Sequence, residues 1–197
     1  MLYRCIRMIL KVIFWPLGLK SEGLNNIPST GPVIIASNHV SNWDPVMVAI
    51  SIQRTICFIA KAELFSNIIL NKLFRKLHAF PVKRGTADRR AIKEALDILA
   101  QGKVLGIFPE GQRHKSNTES KAHAGIAMLA LKSQAPVVPV ACIGTGRKFP
   151  CGWFSPLLVR VGKPMYWQEY QGQKINSATM EKISSEIMKE INILLSK

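Results

Sequence analysis

Short, unbroken apolar runs alternate along this chain with stretches in which apolar residues return every third or fourth position. The runs Val33-Ile34-Ile35-Ala36-Ser37, Ile56–Ala60, Val104–Phe108, Val137–Ala141 and Leu158–Val161 each predict a buried strand. Between them, helical spacing links Ile68, Ile69, Leu73 and Leu77 behind Lys61-Ala62-Glu63-Leu64. The same spacing links Ile92, Ala95, Leu96 and Leu99 from Asp88 to a stop at Gly102, then Ala122 to Lys132, and finally Ile183, Ile187, Ile191 and Leu194. Ala79-Phe80-Pro81-Val82 predicts a short edge strand, because Pro81 has no N–H to give a ladder. Asp44-Pro45 predicts a helix start, with Asp44 at the N-cap and Pro45 in the first helical position. Strands alternating with helices predict an α/β sheet with right-handed parallel crossovers. No repeat, low-complexity tract or linker divides the chain, so a single domain is expected.

The amino terminus carries its own pattern. Arg7 and Lys11 interrupt its apolar run and Pro16 breaks it, which excludes a secretory signal. The uninterrupted stretch Val12–Leu17 is far below the ~20 residues a spanning helix needs. On a helical projection Arg4, Arg7 and Lys11 line one face, while Leu2, Ile6, Ile9 and Ile13 gather opposite. Such a helix either packs on the core or lies in a membrane interface. Residues 1–20 are assigned to this helix and 21–197 to the domain behind it.

Length and composition narrow the function. A chain of 197 residues with 48% hydrophobic content is long enough for one substantial core. Its 27 basic against 12 acidic residues give +15, which predicts an anionic partner. The basic residues are dispersed, with no zinc-finger spacing or aromatic RNA-binding signature, so nucleic acid is not expected; lipid and phosphate partners remain. Cys5, Cys57, Cys142 and Cys151 contain no C-x-x-C pair and read as reduced thiols in a cytosolic compartment. Cys142 could be offered as an acyl-accepting nucleophile, but its setting in Val140-Ala141-Cys142-Ile143 reads as a small buried strand residue.

The chemistry is concentrated in two segments. In Asn38-His39-Val40-Ser41-Asn42-Trp43-Asp44-Pro45, a histidine precedes a carboxylate by five residues on the loop after a predicted strand. A carboxylate that fixes the tautomer of an imidazole and stabilises its imidazolium makes a general base. His39 is the only one of the four histidines with an aspartate at that spacing. Ser41 lacks a Gly-x-Ser-x-Gly elbow, and His78, His114 and His123 form no metal-ligand spacing with the pair. The second segment, Phe108-Pro109-Glu110-Gly111-Gln112-Arg113, places an acid and an arginine on one turn, a combination suited to phosphate.

Taken in order, these two blocks resemble the glycerolipid acyltransferases, specifically the 1-acylglycerol-3-phosphate acyltransferases, whose hallmarks are Asn-His-x-Ser-x-x-Asp and Phe-Pro-Glu-Gly-x-Arg. The resemblance covers roughly Val33 to Pro164 and implies a mixed sheet flanked by helices. It implies His39 as general base and Asp44 as its orienting partner, with direct transfer and no acyl-enzyme. Arg113, Arg84 and Lys61 match basic positions of the family blocks and would meet the acceptor phosphate; Glu110 would bond substrate hydroxyls or position Arg113, and Gly111 would let the backbone come close to the ligand. Val138-Pro139-Val140 matches a fourth, weaker block. Gln112 and His114 stand where the family often has Thr and Ser, which puts the acceptor contacts in question, and the segment before the first strand leaves little room for the two-helix anchor of some relatives.

The implied activity is transfer of a fatty acyl group from acyl-CoA or acyl carrier protein to the 2-hydroxyl of 1-acylglycerol 3-phosphate, giving phosphatidic acid, with no metal or organic cofactor. The same chemistry on another lysolipid or on glycerol 3-phosphate is the alternative acceptor reading. A non-enzymatic basic protein coating anionic membrane or nucleic acid is the rival class, and such a protein has no need of a His-Asp pair. With Trp15 near its end, the amino-terminal helix is then expected to touch an anionic membrane surface, placing the protein peripherally or monotopically on the cytoplasmic face of the cell membrane.

Overall fold

The computed structural model describes residues 2–83, 88–111, 125–146, 157–173 and 175–197. The strands are β1 (Lys20–Glu22), β2 (Val33–Ser37), β3 (Ile56–Lys61), β4 (Ala79–Val82), β5 (Val104–Ile107), β6 (Val137–Ile143) and β7 (Leu158–Val161). They form one sheet in the order β1-β7-β6-β2-β5-β3-β4. Every pairing is parallel except β6 with β7, so the sheet is mixed, as the resemblance implied.

Both faces of the central strands are buried, because side chains alternate across a strand and helices cover each side. Val33 and Ile35 of β2 join a core with α1 (Leu2–Phe14) and α2 (Asp44–Ser51). Ile34 and Ala36 point the other way, into a core with α4 (Arg89–Ala100), α5 (Gly125–Ser133) and α6 (Ser177–Ser196). Asp88 caps α4 by accepting the N–H groups of Arg90 and Ala91, and Gly102, at φ 69°, lets the chain turn away behind it. Pro81 lies on β4, the edge strand, where its missing donor costs nothing. Chain leaving β2 runs toward β3, whereas chain leaving β6 runs toward β7 on the opposite side. Their adjacent carboxyl ends therefore open a crevice, the usual place for a site in an α/β sheet.

Three expectations need correction. First, the N-cap of α2 is Trp43, with no side-chain cap bond, and Asp44 is the first helical residue. Its carboxylate folds back onto the N–H groups of Val40 and Ser41, which the preceding loop would otherwise leave unpaired. Second, Arg7 does not join a free basic face: its guanidinium donates to the carbonyls of Ile52 and Gln53, at 3.1 and 2.5 Å. These carbonyls end α2, where a cation is favoured by the helix dipole. Tyr3 and Phe14 of the same helix are buried, and the Tyr3 hydroxyl accepts the N–H of Ile56 at 3.3 Å.

Third, α1 carries two apolar stripes. Tyr3, Ile6, Leu10 and Phe14 face the protein, while Met8, Ile9, Val12, Ile13 and the following Trp15 face outward. The expected helix α3 (Ile68–Lys76) is present and contains no buried residue. Its Ile68 and Ile69 are 70% and 73% exposed, so helical spacing here does not mark a core face. β1 escaped the sequence pattern altogether: three exposed residues, Lys20, Ser21 and Glu22, offer no hydrophobic signal for a strand.

Candidate active site

The site begins where β2 ends. Asn38 is buried and its side-chain amide pairs with the peptide of Cys142 on β6, donating to the carbonyl at 3.0 Å and accepting the N–H at 2.7 Å. This clamp anchors the loop that carries His39 and returns as α2. Ser41 helps to close the turn by accepting the Trp43 N–H at 3.3 Å. Asp44, 0% exposed, stands at the junction. Its Oδ2 accepts the N–H groups of Val40 and Ser41, each at 2.7 Å, and lies 3.0 Å from His39 Nδ1. Its Oδ1 accepts the Thr145 hydroxyl at 2.5 Å.

A carboxylate oxygen surrounded by donors fixes the tautomer of its neighbour: Nδ1 of His39 carries the proton and donates it to Asp44. Nε2 is then left with a lone pair free to accept a proton. The ring has little freedom to turn away. It stacks on Phe108 with centroids 4.3 Å apart and planes inclined by 26°, and the residue is only 8% exposed.

His39 lies in the wall of a groove of about 450 Å³ that is mostly apolar. α1 contributes Tyr3, Ile6 and Leu10, α2 contributes Val46 and Ala49, and Leu64, Phe74 of α3 and Leu77 complete the lining. Phe58 and Phe108 lie nearly parallel along it, with centroids 6.0 Å apart. Gly106 makes this possible, since a Cβ there would sit 2.5 Å from the Phe58 ring. The polar groups at the groove include His39, Asn42, Arg7 and Lys61. Lys61, at the end of β3, is half exposed and pairs with Glu63 at 3.3 Å.

Glu110 and Gly111 follow β5, the neighbour of β2, on the turn behind Phe108. Glu110 is buried; the Gly111 N–H donates to the Phe108 carbonyl at 3.0 Å, and its φ of 65° suits glycine. The sheet thus gathers His39, Asp44, Lys61, Glu110 and Gly111 at the same ends of parallel strands. Arg84 and Arg113 lie outside the described residues, as do Gln112 and His114. Cys142 is buried on β6, and burial first, then the charge of Asp44, raises its thiol pKa, so it stays protonated and poorly nucleophilic.

Thr145 was not anticipated. It is 101 residues from Asp44 in sequence, and a threonine between two glycines carries no motif. Only the pairing of β2 with β6 brings the two together. No cluster of three or more metal-ligating side chains occurs among the described residues.

Comparison with known proteins supplies the family. The 1-acyl-sn-glycerol-3-phosphate acyltransferase of Bacillus subtilis strain 168 is 29% identical over 178 residues, which cover 88% of this chain and 88% of that protein. A chloroplastic 1-acyl-sn-glycerol-3-phosphate acyltransferase of Arabidopsis thaliana is 32% identical over 136 residues, 66% of this chain but only 37% of the longer plant protein. The crystal structure of the 1-acyl-sn-glycerophosphate acyltransferase PlsC of Thermotoga maritima superposes with a TM-score of 0.75 at 27% identity, over 98% of this chain and 79% of that one. Residues 18–143 match the acyltransferase family, and that span takes in the His39–Asp44 pair, the groove strands and the turn after β5: the chain belongs to the acyltransferase family.

Proposed function

We propose that the protein moves a fatty acyl group from an acyl thioester, acyl-CoA or acyl carrier protein, to the 2-hydroxyl of 1-acylglycerol 3-phosphate, making phosphatidic acid. The observation that carries this reading is the His39 imidazole, fixed by Asp44 through Nδ1, in the wall of an apolar groove. His39 Nε2 takes the hydroxyl proton as the acceptor oxygen bonds to the thioester carbonyl carbon. The carbon–sulfur bond then breaks, and the thiolate leaves with the proton that His39 held. Asp44 stabilises the imidazolium between these events. No acyl-enzyme is needed, and the protonated, buried Cys142 supports direct transfer.

The groove walls suit an acyl chain. Lys61 at the groove, with Arg84 and Arg113 assigned by their sequence blocks, would hold the acceptor phosphate; Glu110 and Gly111 would position the glycerol end and Arg113. The outward stripe of α1, with Trp15 78% exposed and Arg4 and Lys11 beside it, suits contact with an anionic membrane on the cytoplasmic face, peripheral or monotopic. Among the described residues no helix is long and apolar enough to cross a membrane.

The test is purified protein with a panel of lysolipid acceptors and both donors, read by product mass, beside His39→Ala. Phosphatidic acid from the wild type and a loss of roughly 10²-fold or more in the variant are expected. Near-normal turnover in His39→Ala overturns the mechanism, and preference for another lysolipid or for glycerol 3-phosphate reassigns the acceptor.

A further inference from the structure

A surface helix ordinarily turns its apolar residues inward, but α3 turns Phe74 into the groove and leaves most of the others outside. Ile68, Ile69, Leu70 and Leu73 are all exposed, in a helix with no buried residue. It is nonetheless a well-terminated helix: Asn67 Oδ1 accepts the N–H groups of Ile69 and Leu70 at 2.9 and 3.2 Å. Four large apolar side chains exposed on nine residues of helix call for something to cover them.

The charge pattern selects what does. Lys72, Arg75 and Lys76 share the helix with this stripe, and α3 contains no acidic residue. α1 likewise holds Arg4, Arg7 and Lys11 and no acid. A second copy docked through these helices would set cation against cation, whereas an anionic lipid surface satisfies both the apolar stripe and the basic positions. The groove with His39 in its wall is lined by both helices, by Leu10 of α1 and by Phe74 of α3 with Leu77 at its end.

We infer that α3 is a membrane-docking helix in its own right, its Ile68–Leu73 stripe entering an anionic bilayer beside the groove that α1 also lines. The choice of a lipid surface over an acidic protein rests on the lipid-acceptor reading above. Two helices lining the groove would hold its opening against the bilayer, so an acceptor could pass between lipid and His39 without crossing water.

The experiment is flotation of the full chain with phosphatidylcholine vesicles, with and without phosphatidylglycerol, in the absence of donor and acceptor. An Ile68→Ser/Ile69→Ser double variant should lose several-fold in vesicle-bound fraction while keeping its thermal melting temperature and its turnover of a detergent-dispersed acceptor. Ile69→Trp should float at least as well as the wild type and gain tryptophan quenching by brominated lipid. Lys72→Gln/Arg75→Gln should lose binding only where phosphatidylglycerol is present. Wild-type flotation of the serine variant overturns the inference, as does loss of a wild-type dimer in that variant on gel filtration, which would assign the stripe to a second copy. A wild-type chain that floats through α3 but makes no phosphatidic acid would leave the docking helix standing and sink the proposed reaction instead.

Discussion

Thr145 is the least conspicuous residue of the site and one of the most informative. Its hydroxyl satisfies the Asp44 oxygen that faces away from His39, so the carboxylate is held from both ends. Replacing it with valine leaves a buried oxygen facing a methyl group. A lost hydrogen bond to a charged group is worth about 1.5–3 kcal/mol, and one that steadies the imidazolium should cost roughly tenfold or more in turnover. Thr145→Val should therefore lower kcat with little change in the Michaelis constant of either substrate, and Thr145→Ser should restore it. Damage in the serine variant with a near-normal valine variant would mean that the methyl group, not the hydroxyl, matters at this position. The pair that Thr145 supports was legible in the sequence because its members lie five residues apart, and a local spacing survives any fold. Thr145 was not, because its partner is reached only through the sheet.

Elements were legible where burial and pattern coincide. β2, β3, β5 and β6 bury both faces, and their apolar runs are their signature. α3 shows the opposite case: an apolar pattern records affinity for a nonaqueous surface and does not say whether that surface is the core. Asp44 and Asp88 make a similar contrast. Each precedes a predicted helix, yet only Asp88 caps one, because Asp44 is drawn back by its loop and by His39.

The Asp88 carboxylate also accepts the N–H of Lys83, and this bond, with those from the helix start, holds its pKa below the ordinary value. A depressed folded pKa stabilises the protein above the unfolded value of about 3.9 and loses that contribution as pH falls through the folded one. Asp88→Asn, which keeps an acceptor for the cap, should flatten this acid-side dependence in denaturant titrations below about pH 4 and change stability little at pH 7. An unchanged acid slope would show that other carboxylates govern it.

At the scale of the whole molecule, alternation along the chain announced an α/β sheet but not the order of its strands. That order depends on crossovers, and β1 and the antiparallel turn of β7 both lie beyond what periodicity encodes. The +15 charge was legible as a demand for an anionic partner; that α1 and α3 carry bases and no acids beside one groove became visible only in the fold. The clamp between Asn38 and Cys142 carries a consequence for how the enzyme comes into being. The chemical pair is complete once Asp44 has been made, yet its loop is moored to a strand made about a hundred residues later. A chain ending before Val137 should therefore hold His39 and Asp44 and still turn over no acyl thioester, while adding back residues 137–197 on a separate fragment should restore activity if the two halves associate. A nascent chain would thus remain inert until β6 docks beside β2, so that a strand made about a hundred residues later would switch on a site whose reactive groups were already in place.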